Sequence, residues 1–182
     1  MNLLFLLQVI YFLLPAAFAN MTPVFMRNHF KFLAYPVDFN KKVYNKRVFG
    51  DRKTFRGFVF GILAAVIIVF MQKLLYGFGF FQKISLINYS SVNFLVLGFL
   101  IGFGCLFGDL IGAFIKRRLD FKPGESFFVL DQVNNIFGIA LFVTPFYFSS
   151  WKINLWFLLI WFLGHLIIKY LGFIFKIDKK MI

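Results

Sequence analysis

The chain has 182 residues, of which 61% are hydrophobic, 23% aromatic and only 15% charged. Soluble domains carry about 25% charged residues, so this composition excludes an ordinary soluble protein and predicts an integral membrane protein. The formal charge of +13 would suggest nucleic-acid binding in a soluble chain, but Lys and Arg collect in the cytoplasmic loops of membrane proteins, and we predict no nucleic-acid partner.

Five apolar segments follow one another along the chain, at about residues 3–19, 57–76, 91–115, 127–149 and 153–175. Each is close to the roughly 20 residues that a helix needs to cross about 30 Å of hydrocarbon. We therefore predict an all-α fold in which residues 1–182 form a single integral membrane domain with about five transmembrane helices.

The basic residues indicate the orientation of these helices. Most of the 20 Lys and Arg residues lie in loops 20–56 and 116–126 or after residue 175, whereas the connections on the other side contain only Lys73, Lys83 and Lys152. This bias predicts an outside N-terminus, a cytoplasmic C-terminus and two cytoplasmic loops in a multi-pass protein of the cell membrane. Residues 17–19 resemble a signal-peptide cleavage site, but no basic residue precedes the first apolar segment, which argues against cleavage.

Glycines recur in the third apolar segment, at Gly98, Gly102, Gly108 and Gly112. Small residues at this spacing allow the backbones of two membrane helices to approach closely. We interpret these glycines as packing positions.

Two acidic residues lie near the inner ends of predicted spans. Asp109 is about two helical turns inside the third span, and Asp131 is about one turn inside the fourth. A carboxylate at membrane depth costs roughly 2.5–3.5 kcal/mol on insertion scales, so each should be paired, hydrated or bound to a cation. A structural ion pair with Lys116 or Arg117 is the simplest interpretation.

The surroundings of these acids also favour a phosphate site. Gln132, Asn134 and Asn135 follow Asp131 and add oxygen donors within about one turn. Oxygen ligands beside basic groups are typical of Mg²⁺-assisted phosphate binding. The basic triplet 116–118 can neutralise phosphates, with Arg117 and Arg118 offering a bidentate fork, although such a triplet alone is usually a topology signal.

Four short motifs around these residues resemble the signature of the CDP-archaeol synthase family, within the phosphatidate cytidylyltransferase superfamily. They are Gly108-Asp109, Lys116-Arg117-Arg118, Pro123-Gly124 and Leu130-Asp131-Gln132. The first loop also resembles the family, at Ala19-Asn20-Met21, Pro36-Val37-Asp38 and the stretch from Arg47 to Gly57.

The resemblance implies a Mg²⁺-dependent enzyme that transfers CMP from CTP to a membrane lipid phosphate, giving a CDP-activated lipid and pyrophosphate. The expected lipid is an unsaturated archaeal-type ether, 2,3-di-O-geranylgeranyl-sn-glycerol-1-phosphate. By the same resemblance, the catalytic residues are Asp109, Asp131, Lys116 and Arg117, and the Mg²⁺ ligands are Asp109, Asp131 and Asn134. The CTP and phosphate contacts are Lys116, Arg117, Arg118, Gln132, Asp51, Lys53, Thr54 and Arg56, with Asn20 and Asp38 as further candidates.

Two positions in the predicted spans depart from the family pattern, besides Asn45 and Arg52 in the first loop, which we interpret as tolerable changes. Asn134 stands where a second acid is usual, and Ala113 stands where a serine is usual. Three alternatives therefore stay open: use of an ester lipid phosphate, as in CDP-diacylglycerol synthases; a non-catalytic homologue that binds anionic lipids; and an anion transporter that uses the same basic surface.

Overall fold

The computed structural model describes residues 2–122, 125 and 127–174, and this part of the chain is mostly helical. The helices are α1 (Leu3–Phe25), α2 (Phe55–Leu75), α3 (Gly79–Lys83), α4 (Phe94–Arg118), α5 (Phe128–Phe142), α6 (Thr144–Tyr147) and α7 (Ile153–Ile174). Two short strands, β1 (Lys42–Val43) and β2 (Lys46–Arg47), form an antiparallel hairpin. The predicted motif Pro123-Gly124 and the tail lysines after residue 175 lie outside the described residues.

Three helices in the described part of the chain are long and apolar enough to cross a membrane: α1 with the turn after it, α2 and α4. The predicted fourth segment is interrupted, because α5 ends at Phe142 and α6 begins at Thr144 with Pro145 in its first turn. A proline lacks the N–H of a helical hydrogen bond and clashes with the preceding turn. The prediction of a helical membrane protein is confirmed, whereas five crossings and their orientation stay predictions.

Polar side chains fix where the main helices begin. The side chain of Thr54 accepts a hydrogen bond from the Gly57 N–H at the start of α2, and that of Asn93 accepts from Leu95 and Val96 at the start of α4. Such N-caps satisfy backbone donors that have no partner within the helix. At the other end of α1, the helix continues six residues beyond the predicted limit of residue 19 to Phe25, and so carries Asn20 on its last turns.

Helix α4 lies at the centre of the bundle, packed against α1, α2 and α5. Glycines make these contacts close. A Cβ atom at Gly98 would lie 2.6 Å from Val66 Cα of α2, and one at Gly104 would lie 2.8 Å from Gly138 O of α5. At Gly108 it would overlap the Asn134 carbonyl. The glycine spacing in this helix is therefore a packing feature, as predicted.

The hairpin lies in the loop between α1 and α2, and the all-α prediction missed it. Its strands have two residues each, too few to give the alternating pattern by which strands are predicted. Tyr44 and Asn45 at its tip have positive φ angles of 49° and 59°, as two-residue hairpin turns require. This hairpin, the end of α1, the start of α2, the end of α4 and the start of α5 share one end of the bundle, here called the basic end.

Candidate active site at the basic end

A cavity of about 660 Å³ lies between α1, the loop before α2, and α4. Its volume falls within the roughly 300–1,000 Å³ of small-molecule sites. Six of the predicted site residues line it: Asn20, Asp51, Lys53, Thr54, Arg56 and Asp109. Arg27 and Arg52 line it as well, so four basic side chains face two acidic ones. The excess of positive charge suits a ligand with several phosphates.

Lys53 and Asp109 form an ion pair at the wall of this cavity. Lys53 lies in the loop before α2, and Asp109 lies in the C-terminal half of α4. About three-tenths of the Asp109 side chain is exposed and about a quarter of that of Lys53 (30% and 26%). Both groups are therefore satisfied in this state and still accessible to a ligand in the cavity.

Asp131 forms a second, separate ion pair. Its Oδ1 lies 2.6 Å from Lys116 Nζ, and its Oδ2 accepts a hydrogen bond of 3.0 Å from the Phe127 N–H at the start of α5. Lys116 also donates to the Glu125 carbonyl. The predicted ion pair with Lys116 is present for Asp131, but Asp109 pairs with Lys53, which is distant in sequence. Asp109 and Lys116 are seven residues apart on α4, about 10 Å along the helix.

The two arginines of the basic triplet contact the protein backbone. Arg117 is buried and donates to the Lys122 carbonyl at 3.1 Å. Arg118 donates to carbonyls of the hairpin, including that of Arg47 at 2.8 Å, and its guanidinium lies over the Phe114 ring at 4.8 Å. Arg118 therefore fastens the hairpin to α4. Phosphate binding by these arginines stays a prediction.

Near the start of α5, two buried side-chain oxygens accept no hydrogen bond within the described residues. Gln132 and Asn134 are 2% and 5% exposed, and the Oε1 of the first and the Oδ1 of the second have no partner within the described residues. Buried polar atoms are normally hydrogen-bonded. Unpaired amide oxygens close to Asp131 suit a hard cation such as Mg²⁺, which takes one or two carboxylates and completes its shell with water and phosphate oxygens.

The described residues contain no group of three His, Cys, Asp or Glu side chains that could hold a metal ion. Asp109 and Asp131 each have a lysine partner instead. Among the described residues there is therefore no metal cage built from protein ligands alone, and Mg²⁺ in proteins commonly takes one or two carboxylates together with water and substrate phosphates.

Asp38 does not line the cavity. Its hydrogen bonds hold the loop between α1 and α2 in place. Its buried carboxylate accepts from Arg47 at 2.7 Å and from the N–H groups of Phe49 and Gly50 at 3.0 Å each. Burial alone would raise the pKa of Asp38, but the hydrogen bonds from Arg47 and the backbone outweigh it and lower the pKa to about 2. Arg47 also pairs with Asp51 at 2.6 Å, which orients the cavity segment 51–54.

Reasoning from sequence missed two contributors and the role of a third. Arg27 and Arg52 line the cavity but had been counted only as topology signals in a loop full of bases. Asn135 is 2% exposed and donates to Asn20 Oδ1 at 3.2 Å across 115 residues of sequence. The sequence had indicated Asn135 as an oxygen donor beside Asp131, whereas the structure shows its NH₂ group donating to Asn20.

A family description, CarS-like CDP-archaeol synthase, matches residues 1–181 of the chain. The CDP-archaeol synthase of Archaeoglobus fulgidus is 38% identical to it over 139 residues, 72% of this chain and 74% of that protein. The CDP-archaeol synthase of Pyrococcus furiosus is 36% identical over 141 residues, 77% of this chain and 76% of that protein.

A solved structure has the same fold. It is described as an intramembrane enzyme for archaeal membrane lipids biosynthesis, and it superposes with a TM-score of 0.67 at 27% sequence identity. The match covers 86% of this chain and 89% of the solved one.

Proposed function

Because the chain belongs to the CDP-archaeol synthase family, we propose that it transfers CMP from CTP to the phosphate of an unsaturated archaeal-type ether lipid, with Mg²⁺ as cofactor. The family resemblance found in the sequence is thereby confirmed, and so is the expectation of a cytidylyltransferase enzyme. The named relatives are CDP-archaeol synthases and therefore favour an enzyme over the anion-transporter alternative.

The proposed reaction is a displacement at the α-phosphorus of CTP. An oxygen of the lipid phosphate forms a new P–O bond, while the bond between the α-phosphorus and the oxygen that bridges to the β-phosphate breaks. Pyrophosphate leaves with the electron pair of that bond. No covalent intermediate with the protein is needed, so the protein contributes orientation of the two substrates and neutralisation of their charge.

The observation that carries the proposal is the cavity in which Lys53 and Asp109 meet. Its four basic side chains can neutralise the phosphates of a nucleoside triphosphate. We propose that Lys53 moves from Asp109 to a CTP phosphate on binding, and that Asp51, Thr54 and Arg56 border the nucleotide. Arg56 donates to the His29 carbonyl at 2.9 Å, and this is its one side-chain hydrogen bond among the residues that the structure describes.

We assign the Mg²⁺ to Asp109, Asp131 and Asn134. The unpaired oxygen of Asn134 and the two partly exposed carboxylates support this assignment. When bound, the ion supplies Lewis-acid neutralisation of the phosphate oxygens. Lys116 and Lys53 would then shift toward phosphates, and Arg117, Arg118 and Gln132 would support the same end of the site.

The location at one end of the bundle suits a reaction between two very different substrates. CTP is charged and water-soluble, whereas the lipid keeps its chains in the bilayer. We propose that the basic end faces the cytoplasm, with the N-terminus outside and five membrane crossings in a single domain. Basic residues near an anionic membrane surface attract anionic substrates by roughly 1 kcal/mol each.

Single cysteines test this orientation, because the native Cys105 is fully buried. In right-side-out vesicles, a membrane-impermeant maleimide should label a Ser90→Cys variant and spare a Lys42→Cys variant. Inverted vesicles should give the opposite pattern. Labelling of both sites from the same side would overturn the proposed arrangement.

Release of pyrophosphate tests the function itself. The purified protein should release it from CTP when Mg²⁺ and di-O-geranylgeranylglyceryl phosphate are both present, and EDTA should stop the release. A parallel reaction with phosphatidic acid separates ether from ester lipids. The proposal is wrong if neither lipid phosphate supports turnover.

A further inference from the structure

Asn20 occupies the junction of two cavities of opposite character. It lines the charged cavity at the basic end and also a groove of about 260 Å³ between α1 and α7. The other lining residues of this groove are apolar or glycine: Ile10, Leu13, Leu14, Ala17, Met21, Ile160, Trp161 and Gly164. From residue 10 to residue 21 the groove follows α1 for about 16 Å.

The amide of Asn20 has a defined orientation, which Asn135 imposes. Asn135 Nδ2 lies 3.4 Å from the Cys105 carbonyl oxygen and 3.2 Å from the Asn20 side chain. A carbonyl only accepts hydrogen bonds, so the Asn135 group that faces Cys105 is its NH₂. The atom of Asn20 that meets this NH₂ must then be its oxygen, and the NH₂ of Asn20 is turned away from Asn135.

This NH₂ is a free donor. Within the described residues Asn20 makes one side-chain hydrogen bond, the one that it accepts from Asn135. Asn135 itself is 2% exposed. Its Nδ2 donates to the carbonyl oxygen of Cys105 and, at 3.0 Å, to the sulfur of Cys105. The side of Asn20 that faces Asn135 is therefore closed by protein, and its two N–H groups are left for a ligand.

A junction between an apolar groove and a positively charged cavity fits an amphiphile. The hydrocarbon chain of such a molecule can take the place of bilayer lipid in the groove between α1 and α7, while its anionic head group enters the charged cavity. An amide N–H donates well to a phosphate oxygen. CTP has no apolar part to place in the groove, so the donor at the junction suits the lipid substrate better than the nucleotide.

We propose that Asn20 binds the phosphate of the lipid substrate through its amide N–H groups, that one hydrocarbon chain of this lipid lies in the α1–α7 groove, and that Asn135 is a positioning residue for Asn20. The inference rests on the proposed function and adds to it the location of the lipid. It also gives Asn135 a role that none of the predicted site residues has.

Two substitutions at Asn20 test the contact. Asn20→Asp keeps the size and the acceptor for Asn135 but replaces the donor with a carboxylate oxygen, which repels phosphate. Asn20→Ala removes the side chain. We expect the KM for di-O-geranylgeranylglyceryl phosphate to rise about tenfold in Asn20→Ala with the KM for CTP unchanged, and to rise further in Asn20→Asp, whose added charge also faces the charged cavity. Asn28→Ala, an exposed asparagine outside both cavities, is the matched control.

Asn135→Ala tests the positioning role. It should raise the KM for the lipid phosphate alone, and it should add nothing further in the Asn20→Ala background, because both changes remove the same donor. Additive effects, or an equal rise in the KM for CTP, would show that Asn135 supports the fold in general. An unchanged KM for the lipid in Asn20→Asp would overturn the proposal as a whole.

A binding measurement separates this inference from the proposed function. Trp161 lines the groove, so a lipid phosphate with brominated chains should quench its fluorescence in a Trp151→Phe, Trp156→Phe background without any CTP. If the protein with Trp161 alone shows this quenching while the unsubstituted protein shows no turnover, the proposed function fails and the lipid site stands. Quenching that Asn20→Asp does not weaken would contradict the lipid site, even in an active enzyme.

Discussion

Lys53 and Asp109 form an ion pair that joins the loop before α2 to the last turns of α4, across 56 residues of sequence. Reasoning from sequence placed both residues in one site but gave Asp109 a different partner, Lys116 or Arg117. The observed pairing matters because it places the acid at the wall of the charged cavity. It also links the loop before α2 to the central helix of the bundle.

Replacement of Asp109 by asparagine is expected to abolish turnover. The change keeps the size of the side chain but removes the charge that the proposed site offers to a cation, and loss of one such electrostatic group costs about 10²-fold or more in rate. Pyrophosphate release with saturating CTP and lipid phosphate measures the effect. Asp120→Asn is the control, because Asp120 is exposed and its pair with Lys46 lies at the surface. Equal activity of the two variants would contradict the assignment of Asp109.

Replacement of Lys53 by alanine is expected to weaken CTP binding about tenfold, which is the usual size of one charge-assisted contact. The variant also leaves Asp109 without its partner, so the cavity becomes more negative and repels phosphates. Titration calorimetry with CTP and Mg²⁺, in the absence of lipid phosphate, measures the affinity without turnover. Lys42→Ala, in the exposed part of the hairpin, removes an equal charge outside the cavity. If both variants bind CTP equally, Lys53 contributes only to the overall positive charge of the protein and makes no specific contact with CTP.

The carboxylate of Asp38 is expected to make stability depend on acid pH. The pKa of Asp38 is lowered from 3.8 to about 2 in the folded protein, so its contribution is complete above the unfolded value and disappears as the pH falls from about 4 to 2. A shift of this size corresponds to roughly 2 kcal/mol. Thermal unfolding in detergent should therefore show a steeper loss of stability over this range in the unsubstituted protein than in Asp38→Asn. Parallel curves for the two proteins would contradict the prediction.

Replacement of Gly138 by alanine is expected to destabilise the bundle. A Cβ atom there would overlap the backbone of Gly104, which lies on the facing surface of α4. Since backbone cannot move aside as a side chain can, α4 and α5 must separate, at a cost of about 1–3 kcal/mol and a melting temperature lower by roughly 5 °C. Gly164→Ala is the control, because within the part of the chain that the structure describes no atom outside its own stretch of α7 lies within 4 Å of the added Cβ. A similar melting temperature for both variants would show that the close contact between Gly138 and Gly104 does not contribute to stability.

Some residues of the candidate site could be predicted from sequence because they lie close together in the chain. Asp131 and the amides after it share one turn, and the basic triplet is contiguous. What could not be predicted is which acid pairs with which base. Asp109 pairs with Lys53 because the loop folds back over α4, and that fold depends on Asp38, Arg47 and the hairpin. The roles of the predicted site residues in binding and catalysis stay predictions.

The sequence by itself determined the class of molecule, since hydrophobic composition and charge distribution act through the bilayer and need no tertiary contact. It also determined the family, because short motifs at fixed spacing carry that information. Only the tertiary structure decided that Asn20 and Asn135, 115 residues apart, meet at the border of the charged cavity and the apolar groove. The direction of a hydrogen bond and the shape of a cavity depend on several helices at once, and no local pattern in the chain encodes them.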